Sequence, residues 1–243
     1  RFKNEKDVTI ELIESQSQFA EVLKNEGIIT PNQYMSKGRY ANWYTISGYE
    51  VIVTLEQFVE NEIKVVDEIT AKKTGELLAR THNIAEQHNL HIDNDVLFNP
   101  FEHNDLFSFD SFVSLSQFLV GEDKDLFDRI TDKYNAYMEI LAPLKERTKY
   151  AVQGDISDCN LYLTDGGDVG VFDFNRAGDN VPFCDAVMQA IFEARLMDYP
   201  ENKDDDFETK ILASFWEGYC SVRNFSKEEH ELYPYLYAVI DAF

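Results

Sequence analysis

The chain has 243 residues, of which 44% are hydrophobic, and this composition argues against global disorder. Its formal net charge of −23 argues against nucleic acid as a partner, because the phosphates would be repelled. No apolar run reaches the roughly 18 residues that a membrane helix needs, so no membrane partner is predicted. The three cysteines are widely spaced and odd in number, which predicts a reducing, cytoplasmic location without a disulfide framework.

The first part of the chain combines one helix with a pair of strands. Apolar residues at helical spacing predict a helix over residues 7–24, which stops at Gly27. Runs of β-branched and aromatic residues predict antiparallel strands over residues 40–46 and 49–59, joined by a Ser-Gly turn. These elements indicate a small antiparallel sheet with a helix packed beside it.

Helical patterns dominate the remainder of the chain. Apolar stripes predict helices over residues 77–85, 126–144, 183–196 and 207–222. Strands followed by helices around one hairpin predict an α+β chain with two lobes. We divide it into an N-terminal lobe with a hinge, residues 1–61, and a larger, mainly helical C-terminal lobe, residues 62–243.

The two ends of the sequence are irregular. Arg1 and Phe2 resemble the end of a strand whose beginning is absent, and the final YLYAVIDAF stops within an apolar pattern. We therefore expect this sequence to be a piece of a longer chain, with an incomplete first sheet.

One central stretch, QGDISDCNLYLTDGGDVGVFDFN, carries the most specific chemical pattern. Alternating apolar runs flank a Gly-Gly pair, which suits a two-residue turn and sets Asn160 opposite Asp173. A glycine inside the second run can also mark a bulge that shifts this register by one residue. An amide oxygen beside a carboxylate suits one Mg2+ ion. Asp155, in the loop before the first run, is a candidate base for an acceptor hydroxyl.

The spacing alone leaves a second interpretation open. The chain contains 45 acidic residues, so an Asp–Asn–Asp set arises easily without any catalytic role. A hairpin with polar ends is also an ordinary structural feature.

The same stretch resembles the signature of the aminoglycoside phosphotransferase and choline kinase superfamily. That signature reads H-G-D-x-x-x-x-N, a hairpin and I-D-F, and this chain has Q-G-D-I-S-D-C-N and V-F-D-F. The resemblance implies a protein-kinase-like two-lobed fold with a catalytic β-hairpin. It implies that Asp155 is the catalytic base and that Asn160 and Asp173 hold Mg2+. Asp185, in VPFCDAV, matches a later family acid whose implied role is to tie its helix to the catalytic loop.

Further segments follow the family in order along nearly the whole chain. EQFVENE resembles the hinge, which implies that backbone groups of Gln57, Phe58 and Val59 hold the adenine of ATP, or the guanine of GTP. LLARTHNIA resembles the first long helix after the hinge. FAEVLKNEGIITPNQY resembles the end of the regulatory helix and the strand that follows it.

Some positions depart from the family pattern. Gln153 replaces the usual histidine, and the resemblance implies that it supports the loop, because glutamine can both donate and accept hydrogen bonds. Gln16 stands where the family has a helix Glu that pairs with a basic strand residue. Arg1 is the candidate for that basic residue and for contact with the nucleotide phosphates, and Glu14 is an alternative partner. The glycine-rich phosphate loop is not visible in the sequence.

The resemblance implies transfer of the γ-phosphoryl group of ATP or GTP to a hydroxyl of a small molecule. A cationic acceptor such as an aminoglycoside or a choline-like amine fits the acidic composition, although acidic residues that only keep the protein soluble would give the same composition. The alternative is a non-catalytic pseudokinase or an interaction module of the same fold. The candidate substrate contacts are Asn175, Asp179, Glu193 and Asp198, with aromatic contributions from Trp216 or Tyr219.

A protein kinase is disfavoured. Only about a dozen residues separate Asp173 from Asp185, and they contain no activation segment ending in A-P-E. The oligomeric state is left open by the sequence.

Overall fold

A computed structural model describes residues 2–3, 8–102, 109–156, 160–195 and 205–242. The strands are β1 (Phe2–Lys3), β2 (Gln33–Tyr34), β3 (Ala41–Ile46), β4 (Tyr49–Glu56), β5 (Tyr150–Val152), β6 (Leu161–Leu163), β7 (Val169–Val171) and β8 (Gly178–Asn180). The α-helices are α1 (Ile10–Asn25), α2 (Glu68–Gln87), α3 (Phe109–Ser114), α4 (Glu122–Leu141), α5 (Pro182–Arg195), α6 (Phe207–Val222) and α7 (Lys227–Asp241).

The N-terminal part is an antiparallel sheet organised around β4. This strand pairs with β1, β2 and β3, and the apolar core under the sheet joins Ile13 of α1 to Ala41 and Ile52. The helix begins at Ile10 because the hydroxyl of Thr9 accepts the backbone N–H of Leu12 and caps the first turn. The predicted helix and strand pair are confirmed.

Close helix packing defines the C-terminal part, most of all where α2 crosses α6. A β-carbon at Gly75 would lie 2.1 Å from the carbonyl oxygen of Phe215, and one at Gly218 would lie 1.9 Å from that of Lys72. Glycine therefore permits a backbone approach that any side chain would prevent. Residues 182–194 of α5 are all buried, so this helix is the centre of the lobe.

The predicted α+β class is confirmed, with a small antiparallel sheet, a helical lobe and the hairpin β6–β7. The sequence did not predict α7, which starts at a capping box formed by Ser226 and Glu229. It also missed the β5–β8 pair, because strands of three residues are too short to show a period.

Across the described ranges, every helix is too short or too polar to cross a membrane. The division at residues 61 and 62 stays a prediction.

Candidate active site

The register of the hairpin differs from the predicted one by a single residue. Leu161 pairs with Val171, and the backbone N–H of Phe172 donates to the carbonyl of Asn160 at 2.9 Å. The prediction that Asn160 stands directly opposite Asp173 is therefore wrong. The two residues are still neighbours across the open end of the hairpin.

The turn explains the shift. The N–H of Thr164 donates to the carbonyl of Asp168 at 2.9 Å, so the strands close around three loop residues instead of two. Gly167 has a φ of 78°, whereas Gly166 does not have a positive φ. This is the pattern of a three-residue hairpin loop that ends in a left-handed residue.

The glycine inside β7 marks tight packing and not a bulge. Gly170 pairs directly with Tyr162, and a β-carbon at Gly170 would lie 2.5 Å from the Tyr162 ring. The phenol ring lies over the glycine, so the absence of a side chain is a packing requirement.

Asn160 and Asp155 are joined by hydrogen bonds through the Asn160 amide. Nδ2 of Asn160 donates to the carbonyl oxygen of Asp155 at 2.7 Å and to its carboxylate oxygen Oδ2 at 3.1 Å. This fixes which end of the amide carries the donors and also orients the Asp155 carboxylate. The structure thus brings the predicted base next to a predicted metal ligand.

Gln153 connects the Asp155 loop to the Asp173 segment. Its buried side chain accepts the backbone N–H of Asp155 at 2.7 Å through Oε1. Its Nε2 donates to the carbonyl of Asp173 at 2.8 Å and to that of Phe172 at 3.3 Å. Asp155, Asn160 and Asp173 are therefore assembled at one place.

Asp173 adopts a left-handed backbone conformation, with φ 57° and ψ 76°. Its carboxylate accepts the N–H of Asn175 at 3.2 Å and caps the short 3-10 helix Phe174–Arg176. A non-glycine residue in this region carries a conformational cost, and such residues are found at functional sites.

Asp185 is buried in a chain of polar contacts between helices. Its Oδ2 lies 2.9 Å from Nε2 of His82 on α2, and Nδ1 of His82 lies 3.0 Å from the hydroxyl of Tyr219 on α6. Among the described residues, its contact with the catalytic loop runs through Gln189. That side chain donates to Oδ1 of Asp185 at 3.3 Å and accepts the N–H of Ile156 at 3.1 Å.

Sequence reasoning did not identify Gln189. The available signal was its position four residues after Asp185, which puts both side chains on one face of α5. His82 lay within LLARTHNIA, but its buried partners on α5 and α6 could not be read from that segment.

The predicted hinge lies beside the hairpin. The N–H of Ile63 donates to the carbonyl of Leu161 at 2.8 Å, and the N–H of Leu163 donates to that of Asn61 at 3.0 Å. Within the hinge, the N–H of Gln57 is bonded to the carbonyl of Asn32 at 2.8 Å. The backbone of Phe58 and Val59 therefore stays the candidate for base binding, and residue Phe58 is 82% exposed.

Two of the residues predicted to contact the substrate, Asp179 and Glu193, have other surroundings in the structure. Asp179 is hydrogen-bonded within the protein, and Glu193 is buried. Asp179 accepts the N–H of Ile92 at 2.7 Å, and its other oxygen lies 3.0 Å from Nδ1 of His91. Glu193 has no exposed surface, so a dissolved substrate cannot touch it. The prediction that Glu193 contacts the substrate is wrong for this conformation.

Burial dominates the chemistry of Glu193. It raises the pKa of the carboxyl to about 8, and the nearby hydroxyl of Thr74 lowers the pKa only in part. That hydroxyl donates to the carbonyl of Thr70, and within the described chain neither carboxyl oxygen of Glu193 has a hydrogen-bond partner.

The other predicted contacts divide between core, cleft and undescribed residues. Tyr219 is fully buried, and Nε1 of Trp216 donates to the hydroxyl of Tyr233 at 3.1 Å within an aromatic cluster. Tyr219 is therefore a core residue, and Trp216 is partly buried against the core. Asn175 is half-buried and lines a cleft between α1, β4 and the segment after Asp173. Arg1 and Asp198 lie outside the described residues.

The amide of Gln16 has two backbone partners, while its predicted pairing with Arg1 stays a prediction because Arg1 lies outside the described residues. Nε2 of Gln16 donates to the carbonyls of Asn175 at 3.0 Å and Ala177 at 3.2 Å. The alternative residue, Glu14, accepts the N–H of Ala41 at 2.6 Å instead.

The donor set at the hairpin fits Mg2+ as a partly hydrated ion. Asn160 offers an amide oxygen and Asp173 a carboxylate, which are hard oxygen donors of the kind that Mg2+ binds together with waters and phosphates. In the part of the chain that the structure describes, no group of three or more His, Cys, Asp or Glu side chains could enclose a metal.

A separate apolar cavity of about 280 Å3 lies between α3, α4 and α7. Its walls include Phe109, Phe112, Tyr134 and Tyr137, and the rings of Phe109 and Tyr134 stack with centroids 3.6 Å apart. None of the predicted site residues is among its described lining residues.

No family model and no curated protein sequence matches the chain. Solved structures do match. A microcompartment-associated aminopropanol kinase is 16% identical, with a TM-score of 0.64 over 99% of this chain and 74% of its own. An amicoumacin kinase is 13% identical, with a TM-score of 0.61 over 98% of this chain and 72% of its own.

The chain shares its fold with these two kinases. An aminoglycoside phosphotransferase from Alicyclobacillus acidocaldarius agrees, with 13% identity and a TM-score of 0.57 over 97% of this chain and 74% of its own. The resemblance to the aminoglycoside phosphotransferase and choline kinase superfamily is thus confirmed at the level of the fold. At these identities, the acceptor and the donor nucleotide have to be argued from the site.

Proposed function

We propose that the chain is a phosphotransferase that moves the γ-phosphoryl group of ATP or GTP to a hydroxyl of a small molecule. The observation that supports this most directly is the convergence of Asp155, Asn160 and Asp173. The buried side chain of Gln153 links Asp155 to Asp173, and the amide of Asn160 bonds to Asp155. The shared fold of small-molecule kinases supports the same conclusion.

Asp155 is the proposed base. Its carboxylate orients the acceptor hydroxyl and takes its proton while the new oxygen–phosphorus bond forms. The bond between the γ-phosphorus and the bridging oxygen breaks, and ADP or GDP leaves. The amide donor of Asn160 at 3.1 Å holds the carboxylate in one orientation, which reduces the cost of positioning.

Asn160 and Asp173 are the proposed ligands of Mg2+, with Gln153 and Asp185 as structural support. When bound, the ion neutralises phosphate charge, which is most of what such transfer requires. The backbone of Phe58 and Val59 is proposed to bind the base, beside the hairpin that carries the metal ligands.

The proposed acceptor is a hydroxyl-bearing amine. The structures with the same fold include an aminopropanol kinase and an amicoumacin kinase in complex with AMP-PNP and Ca2+. The net charge of −23 favours the approach of a cation over that of an anion.

The test is the variant Asp155→Asn, measured by ADP or GDP release over a panel of amino alcohols and aminoglycosides. Transfer should fall by at least about 100-fold because the proton acceptor is lost. Thermal stabilisation by Mg2+ and nucleotide should persist. Asp165→Asn is the matched control, because it removes an exposed carboxylate at the other end of the same hairpin. Full turnover by Asp155→Asn would refute the assignment.

The second candidate is a nucleotide-binding pseudokinase, which the glutamines at positions 16 and 153 favour, since the family has titratable residues there. Stabilisation by Mg2+ and nucleotide without turnover on any acceptor would support it. No stabilisation by any nucleotide would instead indicate an interaction module of this fold.

A further inference from the structure

Gln16 lies on α1, but its side chain is directed at the segment that follows Asp173. The residue is 4% exposed, and Nε2 donates to the carbonyls of Asn175 at 3.0 Å and Ala177 at 3.2 Å. These hydrogen bonds join parts of the chain that are 159 and 161 residues apart. They connect the N-terminal helix to the backbone that carries a proposed metal ligand.

The residue type matches this contact. Two carbonyl oxygens need two N–H donors, and a primary amide has both on one nitrogen. A carboxylate at the same position would place acceptors against acceptors and leave buried carbonyls without these donors. The glutamine is therefore suited to the backbone segment.

A second contact acts on the same segment. The rings of Phe19 on α1 and Phe174 meet edge to face at 5.8 Å, and both residues are buried. Phe19 lies three residues after Gln16, so the two side chains share one face of the helix. The helix thus contacts the segment on both sides of Asn175.

Gln153 holds the other end of the segment, through the carbonyls of Phe172 and Asp173. Residues 172–177 are therefore fixed between one buried amide from the catalytic loop and one from α1. Asp173 lies inside this interval in its left-handed conformation.

We propose that Gln16 is a positioning residue, which fixes the Asp173 segment to α1 and thereby sets the place of the metal ligand from the N-terminal part of the molecule. The inference rests on the proposed function in one respect, namely that Asp173 binds Mg2+. The contact itself does not depend on any ligand.

The first test is hydrogen exchange of the peptide 172–178 in the full chain without nucleotide. Gln16→Met keeps the size of the side chain and removes both donors, so exchange should be about tenfold faster, the factor that corresponds to a lost hydrogen bond of ordinary strength. Gln16→Glu keeps a polar side chain but is expected to show the same increase. Gln18→Met is the control, because it makes the same change at an exposed position of α1. Unchanged exchange in both Gln16 variants, with native helix content, would overturn the proposal.

The second test is the Mg2+ concentration that half-saturates the thermal stabilisation by nucleotide. It should rise about tenfold in Gln16→Met and stay unchanged in Gln18→Met. Faster exchange with unchanged Mg2+ dependence would overturn the positioning role. A wild type that binds no nucleotide and transfers no phosphate would refute the proposed function. The hydrogen-exchange experiment would still test whether Gln16 holds residues 172–177, because it requires no ligand.

Discussion

Replacing Glu193 by glutamine is expected to stabilise the protein increasingly, relative to the wild type, as the pH rises from about 5 to about 8. Glu193 is fully buried on α5, and burial raises its pKa from 4.5 to about 8. The folded protein keeps this proton across that window, whereas the unfolded chain releases it. The free energy of unfolding of the wild type therefore falls as the pH rises towards 8.

The magnitude follows from the size of the window. Each pH unit between the two pKa values removes up to about 1.4 kcal/mol of stability. Three units give an upper limit of about 4 kcal/mol, because any local rearrangement around the ionised carboxylate reduces the loss. Above the folded-state pKa both states are deprotonated, and the loss stops growing.

The assay is urea unfolding of wild type and Glu193→Gln at several pH values between about 5 and 8.5, read as the difference in free energy of unfolding. A buried glutamine amide lowers the free energy of unfolding by about 1–3 kcal/mol at every pH. The test is therefore how the difference in free energy of unfolding changes with pH, and not its value at any one pH. Glu231→Gln is the control, because it removes a carboxyl that is 66% exposed. Parallel wild-type and Glu193→Gln curves would refute the reasoning.

Further substitutions test the packing of the helical lobe by thermal unfolding. Gly218→Ala should lower the free energy of unfolding by more than about 2 kcal/mol, because its β-carbon would lie 1.9 Å from a carbonyl oxygen of α2. Gly166→Ala should leave the free energy of unfolding nearly unchanged, because the nearest atom to its β-carbon would be 3.6 Å away. Tyr219→Phe removes the hydroxyl 3.0 Å from Nδ1 of His82 and should cost about 1–3 kcal/mol. Ser226→Ala should cost about 1 kcal/mol through the lost N-cap. A stability equal to the wild type would contradict the prediction for Gly218→Ala, Tyr219→Phe or Ser226→Ala.

Local patterns were sufficient for much of the fold. The apolar spacing of α1, α4, α5 and α6 predicted helices near the observed bounds, because a side chain that must face one core repeats every three to four residues. For α2, the predicted residues 77–85 cover only the second half of the observed helix. The antiparallel pair β3 and β4 followed from its aromatic and β-branched composition and its Ser-Gly turn.

The register of the β6–β7 hairpin and the surroundings of Glu193 could not be predicted from the sequence. The Gly-Gly pair indicated a hairpin, but the pair fits a loop of two residues as well as the observed loop of three, in which only Gly167 has a positive φ. Glu193 reads as a surface acid in the sequence, and only the packing of α5 at the centre of the lobe buries it.

The amino-acid sequence by itself determined the candidate residues for the chemistry, since Asp155, Asn160 and Asp173 lie in or directly beside a hairpin whose strands are adjacent in the chain. Only the tertiary structure decided what holds them there. Gln16 and Gln189 reach this site from distant helices, and their partners are backbone groups, which every residue has and no sequence pattern distinguishes.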